Sequence, residues 1–210
     1  VDGANSTHRF DQVIFACHGD EAHALLANQT DAEQEILSSF TYQKNHAILH
    51  SDVQQMPKRK KVWSSWNYLT ERRSGVEESQ VSVTYWMNQL QSLDQSVPLF
   101  VTLNPIQEID PASIHREFIY DHPVFDQPAM TAQTRLNRIQ GNGGVWFCGS
   151  YCGYGFHEDG LGSAVAVARS LGIEAPWGHK PVHAMRAVLG EDLNAPVSAP
   201  VQPTPLGEAA

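Results

Sequence analysis

The chain has 210 residues, enough to bury one sizeable core, or one domain with part of another. Its 41% apolar and 18% charged composition is that of a globular protein and excludes wholesale disorder. A net charge of −9 argues against a general nucleic-acid binder, which would carry a basic face.

In chain order, Phe10 to Cys17 reads as a strand. Its Val13-Ile14-Phe15-Ala16 run is apolar on both faces, as in an interior parallel strand. His18-Gly19-Asp20 turns into a helix over Glu21 to Ala27, with Asp20 as cap and Ala22, Leu25 and Leu26 as its apolar stripe. A second helix follows Thr30; Glu33 completes a capping box, and Ile36, Leu37 and Phe40 face inward. From Tyr42 to Tyr120 the pattern is β, with runs at Ala47 to His50, Val62 to Leu69, Gln80 to Leu90, Leu99 to Leu103 and Arg116 to Tyr120. Pro128 to Ile139 reads as a helix closed by Gly141 and Gly143-Gly144. A strand from Val145 to Cys148 and a helix from Asp159 to Leu171 restore α/β character. Pro196, Pro200, Pro203 and Pro205 mark residues 195–210 as a disordered tail.

This order predicts an α/β (α+β) chain in which two distant pieces form one nucleotide-binding layer and a substrate sheet is inserted between them. The boundaries expected are 1–40 for the first piece, 41–127 for the β-rich domain, 128–175 for the returning piece and 176–210 for a C-terminal extension.

Three cysteines, Cys17, Cys148 and Cys152, make no disulfide framework, and no second ligand pair at zinc spacing accompanies the latter two. No metal is expected. Free thiols and the absence of a bilayer-length apolar run lead to the expectation of a reducing, cytoplasmic setting. Lys58-Arg59-Lys60-Lys61 is either a solvated loop or a peripheral contact to an anionic membrane surface or lipid headgroup.

The densest information lies between Gly143 and Leu161: a strand, a glycine- and aromatic-rich turn, and a helix start at Asp159. A strand passing through glycines into a helix N-terminus offers close backbone approach and unpaired amides, as anionic or electron-rich cofactor groups require. The amides of Asp159, Gly160 and Leu161 are the expected donors to a flavin-type group; a tightly packed αβ turn explains the same spacing. His157-Glu158-Asp159 supports either a catalytic imidazole held by carboxylates, with His157 as the candidate, or a polar capping loop. Trp66, Tyr85, Trp86 and Tyr154 are candidate walls of an apolar substrate pocket, or simply core, and Asn67 and Asn88 either orient a polar substrate group or are exposed strand ends.

The run Phe147-Cys148-Gly149-Ser150-Tyr151-Cys152-Gly153-Tyr154-Gly155-Phe156-His157-Glu158-Asp159-Gly160-Leu161 resembles the C-terminal signature of a group of FAD-dependent oxidoreductases related to the flavin-containing amine oxidases. Phe10 to His18, Ser65 to Tyr68, Val83 to Asn88 and Leu99 to Pro105 resemble the same group in the same order. The resemblance implies a Rossmann-like FAD domain with a β-rich substrate domain, FAD as cofactor, and hydride transfer from an amine or an apolar, lipid-like substrate. It places Gly149 and Ser150 near the FAD pyrophosphate and Asp159, Gly160 and Leu161 at the flavin. Ser150 departs from an acidic residue common at that position. The Gly-x-Gly-x-x-Gly unit that grips the nucleotide in this group is not present in the sequence. The chain therefore reads as the C-terminal half of a flavoprotein whose N-terminal FAD-binding half lies elsewhere, in the same or another chain. Alternatives are a fragment inactive alone and a non-catalytic module that kept the fold.

Overall fold

The computed structural model describes residues 6–71, 80–177 and 183–191; the expected tail at 195–210 lies outside them. In chain order the elements are β1 (Val13–Phe15), α1 (Gly19–Leu25), α2 (Asp31–Leu37), β2 (Tyr42–His50), β3 (Trp66–Glu71), β4 (Gln80–Trp86), α3 (Met87–Leu90), β5 (Phe100–Leu103), β6 (Ile114–Pro123), α4 (Gln127–Gln133), β7 (Val145–Phe147), α5 (His157–Ser170) and α6 (His183–Leu189). The chain divides into two units, Val1–Tyr42 with Pro123–Ala210, and Gln43–His122.

In the first unit β1 and β7 pair in parallel, Val13 opposite Val145 and Phe15 opposite Phe147, with the two phenyl rings stacked at 5.6 Å. Strand β1 is shorter than the Phe10 to Cys17 expected. Its apolar faces are not both buried either: Val13 and Ile14 are 40% and 48% exposed. The sheet has two strands among the described residues, so β1 and β7 each keep one edge without a described partner strand.

Helix α2 starts as its capping box dictates: Thr30 Oγ1 accepts from Glu33 N at 3.2 Å, and Thr30 N donates to the Glu33 carboxylate at 2.7 Å. Its inward Ile36 and Leu37 are buried, with Phe40 beyond it, each contributing about 1.5–3 kcal/mol relative to exposure. Helix α1 begins at Gly19 rather than Glu21. His18 occupies the cap position and its amide donates to Glu21, while the Gly19 amide donates to the Tyr42 hydroxyl at 2.9 Å. Asp20 therefore lies within the first turn, and of the predicted stripe Ala22 is buried while Leu25 is exposed. Helix α4 is capped by Asp126, which accepts from Ala129 N at 2.9 Å, and ends at Gln133; a 3-10 turn at Leu136–Arg138 replaces the rest of the predicted helix. Helix α6 has no counterpart in the sequence reading. It buries Ala184, Met185, Ala187 and Val188 in the core shared with Val165, Ala166 and Val167 of α5.

The second unit is built on a five-stranded sheet, order β3-β4-β5-β2-β6, with β3/β4, β4/β5 and β5/β2 antiparallel. Phe100, Ile48, Met56 and Ile109 are buried, and Trp63 packs edge-on against Phe100 and Trp86. The alternation of β4 runs opposite to its hydropathy. Ser82 and Thr84 are buried, while Val81 is exposed. The buried hydroxyls are satisfied: Thr84 Oγ1 lies 2.9 Å from Thr102 Oγ1, which lies 2.7 Å from His50 Nε2, and Ser82 donates to the Leu103 carbonyl. Among the described residues no helix is long and apolar enough to cross a membrane.

Candidate functional site

Strands β1 and β7 end side by side, and each leads into a helix. After β1 the chain turns at His18 into α1; after β7 it passes through Gly149 and a 3-10 turn, Ser150–Cys152, into α5. The two turns touch: a Cβ on Gly149 would lie 3.0 Å from the Cys17 carbonyl and 2.8 Å from the Tyr151 ring. Carboxyl ends of parallel strands are where open α/β sheets bind ligands.

Three side chains hold the Gly149–Phe156 loop. Ser163 of α5 accepts from the Gly149 amide at 2.9 Å and donates to the Gly160 carbonyl at 2.8 Å. Gln133 of α4, fully buried, donates from Nε2 to the carbonyls of Tyr151 (3.0 Å) and Gly153 (2.6 Å). Its Oε1 lies 3.0 Å from His183 Nε2, so that ring nitrogen carries the proton. The Asp159 carboxylate accepts from the amides of Tyr154 and Phe156 at 3.0 and 3.1 Å.

This geometry revises how the predicted residues act. Helix α5 starts at His157, so Asp159 sits in its first turn rather than at its cap. The amides of Asp159 and Gly160, expected to be open to a cofactor, both donate to the Phe156 carbonyl, at 3.1 and 3.2 Å. The glycines also answer to the chain itself: a Cβ on Gly153 would lie 2.3 Å from the Asp159 carboxylate, and one on Gly155 (φ +88°) 3.1 Å from the Phe125 ring. Gly160 is different, since its Cβ would meet only the Ser150 amide, at 3.7 Å. Ser150 is half-buried and Leu161 is exposed.

His157 is exposed at the first position of α5. The Asp159 carboxylate is taken up by the loop amides. Tyr154 is half exposed and its ring lies 4.8 Å from that of His183. Burial lowers the His183 pKa; Asp159 opposes this and Arg186 adds to it. Tyr151 is buried against Phe40, its hydroxyl has no hydrogen-bond partner among the described residues, and burial holds its phenol well above the ordinary range. Burial also raises the thiols of Cys17, Cys148 and Cys152, which stay protonated at neutral pH. Among the described residues no group of three His, Cys, Asp or Glu is placed to hold a metal ion.

The other pocket candidates belong to the second unit. Trp66 pairs with Tyr85 across β3 and β4, and their rings meet edge-on at 6.5 Å on one face. Trp86, the next residue, points to the other face and packs on Trp63, so it is not part of the same wall. Asn67 and Asn88 brace loops. Asn67 donates to the Ser64 carbonyl at 2.7 Å; Asn88 donates to the Val97 carbonyl and accepts from the Leu99 amide.

Gln133 and His183 were not singled out by sequence reasoning. Gln133 stands far from the loop in sequence, and nothing local marks it. Ser163, with Gly160, Gly162 and Ala164, is expected from its small size to allow close packing against a cofactor ring, whereas its hydroxyl bonds the loop. No protein-family model matches this chain, and no curated protein matches it in sequence.

Proposed function

We propose that this chain is a portion of an FAD-dependent oxidoreductase of the amine-oxidase-like group, its first unit contributing to a Rossmann-like flavin domain and its second serving as substrate domain. The observation that carries the reading is the adjacency of the β1 and β7 carboxyl ends, each leading into a helix, with the Gly149 turn against Cys17. The residues around the turn fit such a group on one side only. Gly160 has room to meet it, with Leu161 exposed and Ser150 half-buried beside it; Gly149 and Asp159 act by holding the turn in shape. His157, exposed beside them, is assigned any proton handling there. The redox chemistry is that of the flavin once bound, accepting a hydride from an amine or an apolar substrate; the protein supplies orientation and a dry pocket.

The exposed Val13 and Ile14 support a further element of the reading: the nucleotide is gripped by a glycine-rich piece, in the same or another chain, that extends the β1–β7 sheet. The test is to purify this chain alone and together with a Gly-x-Gly-x-x-Gly half from the same group, and to record visible flavin absorbance. Flavin retained only by the combination, and bleached anaerobically by an amine or an unsaturated lipid, is the expected result. Flavin held by this chain alone would remove the need for the second piece; a combination that folds without flavin would overturn the assignment.

A further inference from the structure

The second unit contains a cleft of about 720 Å³, apart from the candidate site residues above. Small-molecule sites occupy roughly 300–1,000 Å³. Its floor is aliphatic. Val83 and Leu103 face each other across β4 and β5, and Val81 lies two residues along on the same face. Its walls include Gln43 and Asn45 from β2 and Asn104 just past β5, all carboxamides, while Gln80 lines the rim at the start of β4, its side chain alternating to the face opposite Val81. Among the described lining residues none is Asp, Glu, Lys or Arg. The remaining titratable group, His46, has its Nε2 occupied by Glu117 at 2.7 Å.

Asn104 is held in the left-handed region, φ +48°, immediately before Pro105. That conformation is uncommon for a non-glycine residue, asparagine adopting it more readily than most, and it is disfavoured before proline. Two hydrogen bonds hold its side chain there. The Asn104 Oδ1 accepts from His46 N at 2.9 Å, and its Nδ2 donates to Asn45 Oδ1 at 2.7 Å. Strained positions persist where their surroundings over-determine them, and they cluster at binding sites. Here those two hydrogen bonds fix one carboxamide on the cleft wall, with a second Nδ2 hydrogen beyond the one given to Asn45.

We propose that this cleft binds an uncharged amphipathic small molecule: an alkyl or alicyclic body against Val81, Val83 and Leu103, with a hydroxyl or amide group exchanging hydrogen bonds with the Asn45 and Asn104 carboxamides. A charged headgroup is disfavoured: none of the described lining residues supplies it a counter-ion, and the Glu117 carboxylate is taken up by His46. The site lies wholly within the second unit and stands independently of the flavin reading.

Calorimetric titration of the full chain with decanamide, decanoate and decylamine, each below its micellar concentration, tests this. Decanamide binds saturably, about tenfold or more tighter than either charged analogue. Asn45→Asp keeps the acceptor for Asn104 Nδ2 and adds a charge, so decylamine gains about tenfold and decanamide weakens. Val81→Glu, at a position already 45% exposed, abolishes decanamide binding with an unchanged far-ultraviolet circular dichroism spectrum. No saturable decanamide binding, equal affinity for all three, or an order that Asn45→Asp leaves untouched would each overturn the proposal.

Discussion

Replacing Gln133 by Leu removes the polar end of a fully buried side chain while keeping most of its volume. The carbonyls of Tyr151 and Gly153 each lose a donor, and the His183 N–H loses its acceptor. Each net hydrogen bond is worth about 0.5–1.5 kcal/mol, and a buried group left unsatisfied costs about 1–3 kcal/mol. The apolar replacement returns part of this, and Tyr151 and Gly153 can recover partly through water. A loss of about 2–4 kcal/mol from the first unit is therefore expected. Guanidinium unfolding followed through hydrogen exchange of the Gly153 and Gly155 amides reports on that unit, since both donate to the Ser150 carbonyl inside the loop. Exchange at those two amides accelerates, and the unfolding midpoint falls. Gln133→Glu costs more than the Leu variant, because it sets a carboxylate against two carbonyl oxygens. A Leu variant within about 0.5 kcal/mol of the parent, with unchanged exchange in the loop, would refute the view that Gln133 holds the turn.

Three further outcomes follow from the same geometry. Gly153→Ala forces a Cβ to within 2.3 Å of Asp159 Oδ1, so the carboxylate must leave the Tyr154 and Phe156 amides; a loss of about 2 kcal/mol or more is expected in thermal unfolding. Burial lowers the pKa of His50 from its ordinary 6.5, with Asp52 opposing, so the unfolded chain binds this proton more readily than the folded one. Its contribution to stability is complete above pH 6.5 and shrinks as the pH falls from there to the folded pKa, by at most about 1.4 kcal/mol per pH unit. In His50→Gln the fall in stability between neutral and mildly acid pH is shallower; an unchanged pH profile would count against it. In thiol labelling of the folded protein at neutral pH, Cys17, half-buried, reacts before Cys148 and Cys152, both buried; simultaneous reaction of all three would contradict the packing around β7.

Local chemistry made several elements legible in the sequence. The Thr30/Glu33 box started α2 where expected, because both of its bonds span only three residues. The alternation and turn residues between Tyr42 and Tyr120 predicted a β-rich segment, and the antiparallel sheet lies there. The glycine-rich passage announced a strand, a turn and a helix. What it could not announce was the division of labour. A glycine required to admit a cofactor and a glycine required to clear Asp159 leave the same letter in the sequence. A carboxylate three positions into a helix likewise reads as a cap until the helix start is known.

The sequence by itself determined the type of most segments, because capping, turn chemistry and periodicity act over a few residues; it missed α6, read the short helix α3 (Met87–Leu90) as part of a β run, and carried α4 past Gln133. Only the tertiary structure decided that Gln133 and Ser163 shape the Gly149 turn. The same is true of Ser82 and Thr84 facing inward while Val81 faces a cleft, and of Asn104 being held at positive φ by its neighbours. The physical reason is one of range: a buried donor is satisfied by whichever acceptor packing brings within about 3 Å, whatever its distance along the chain.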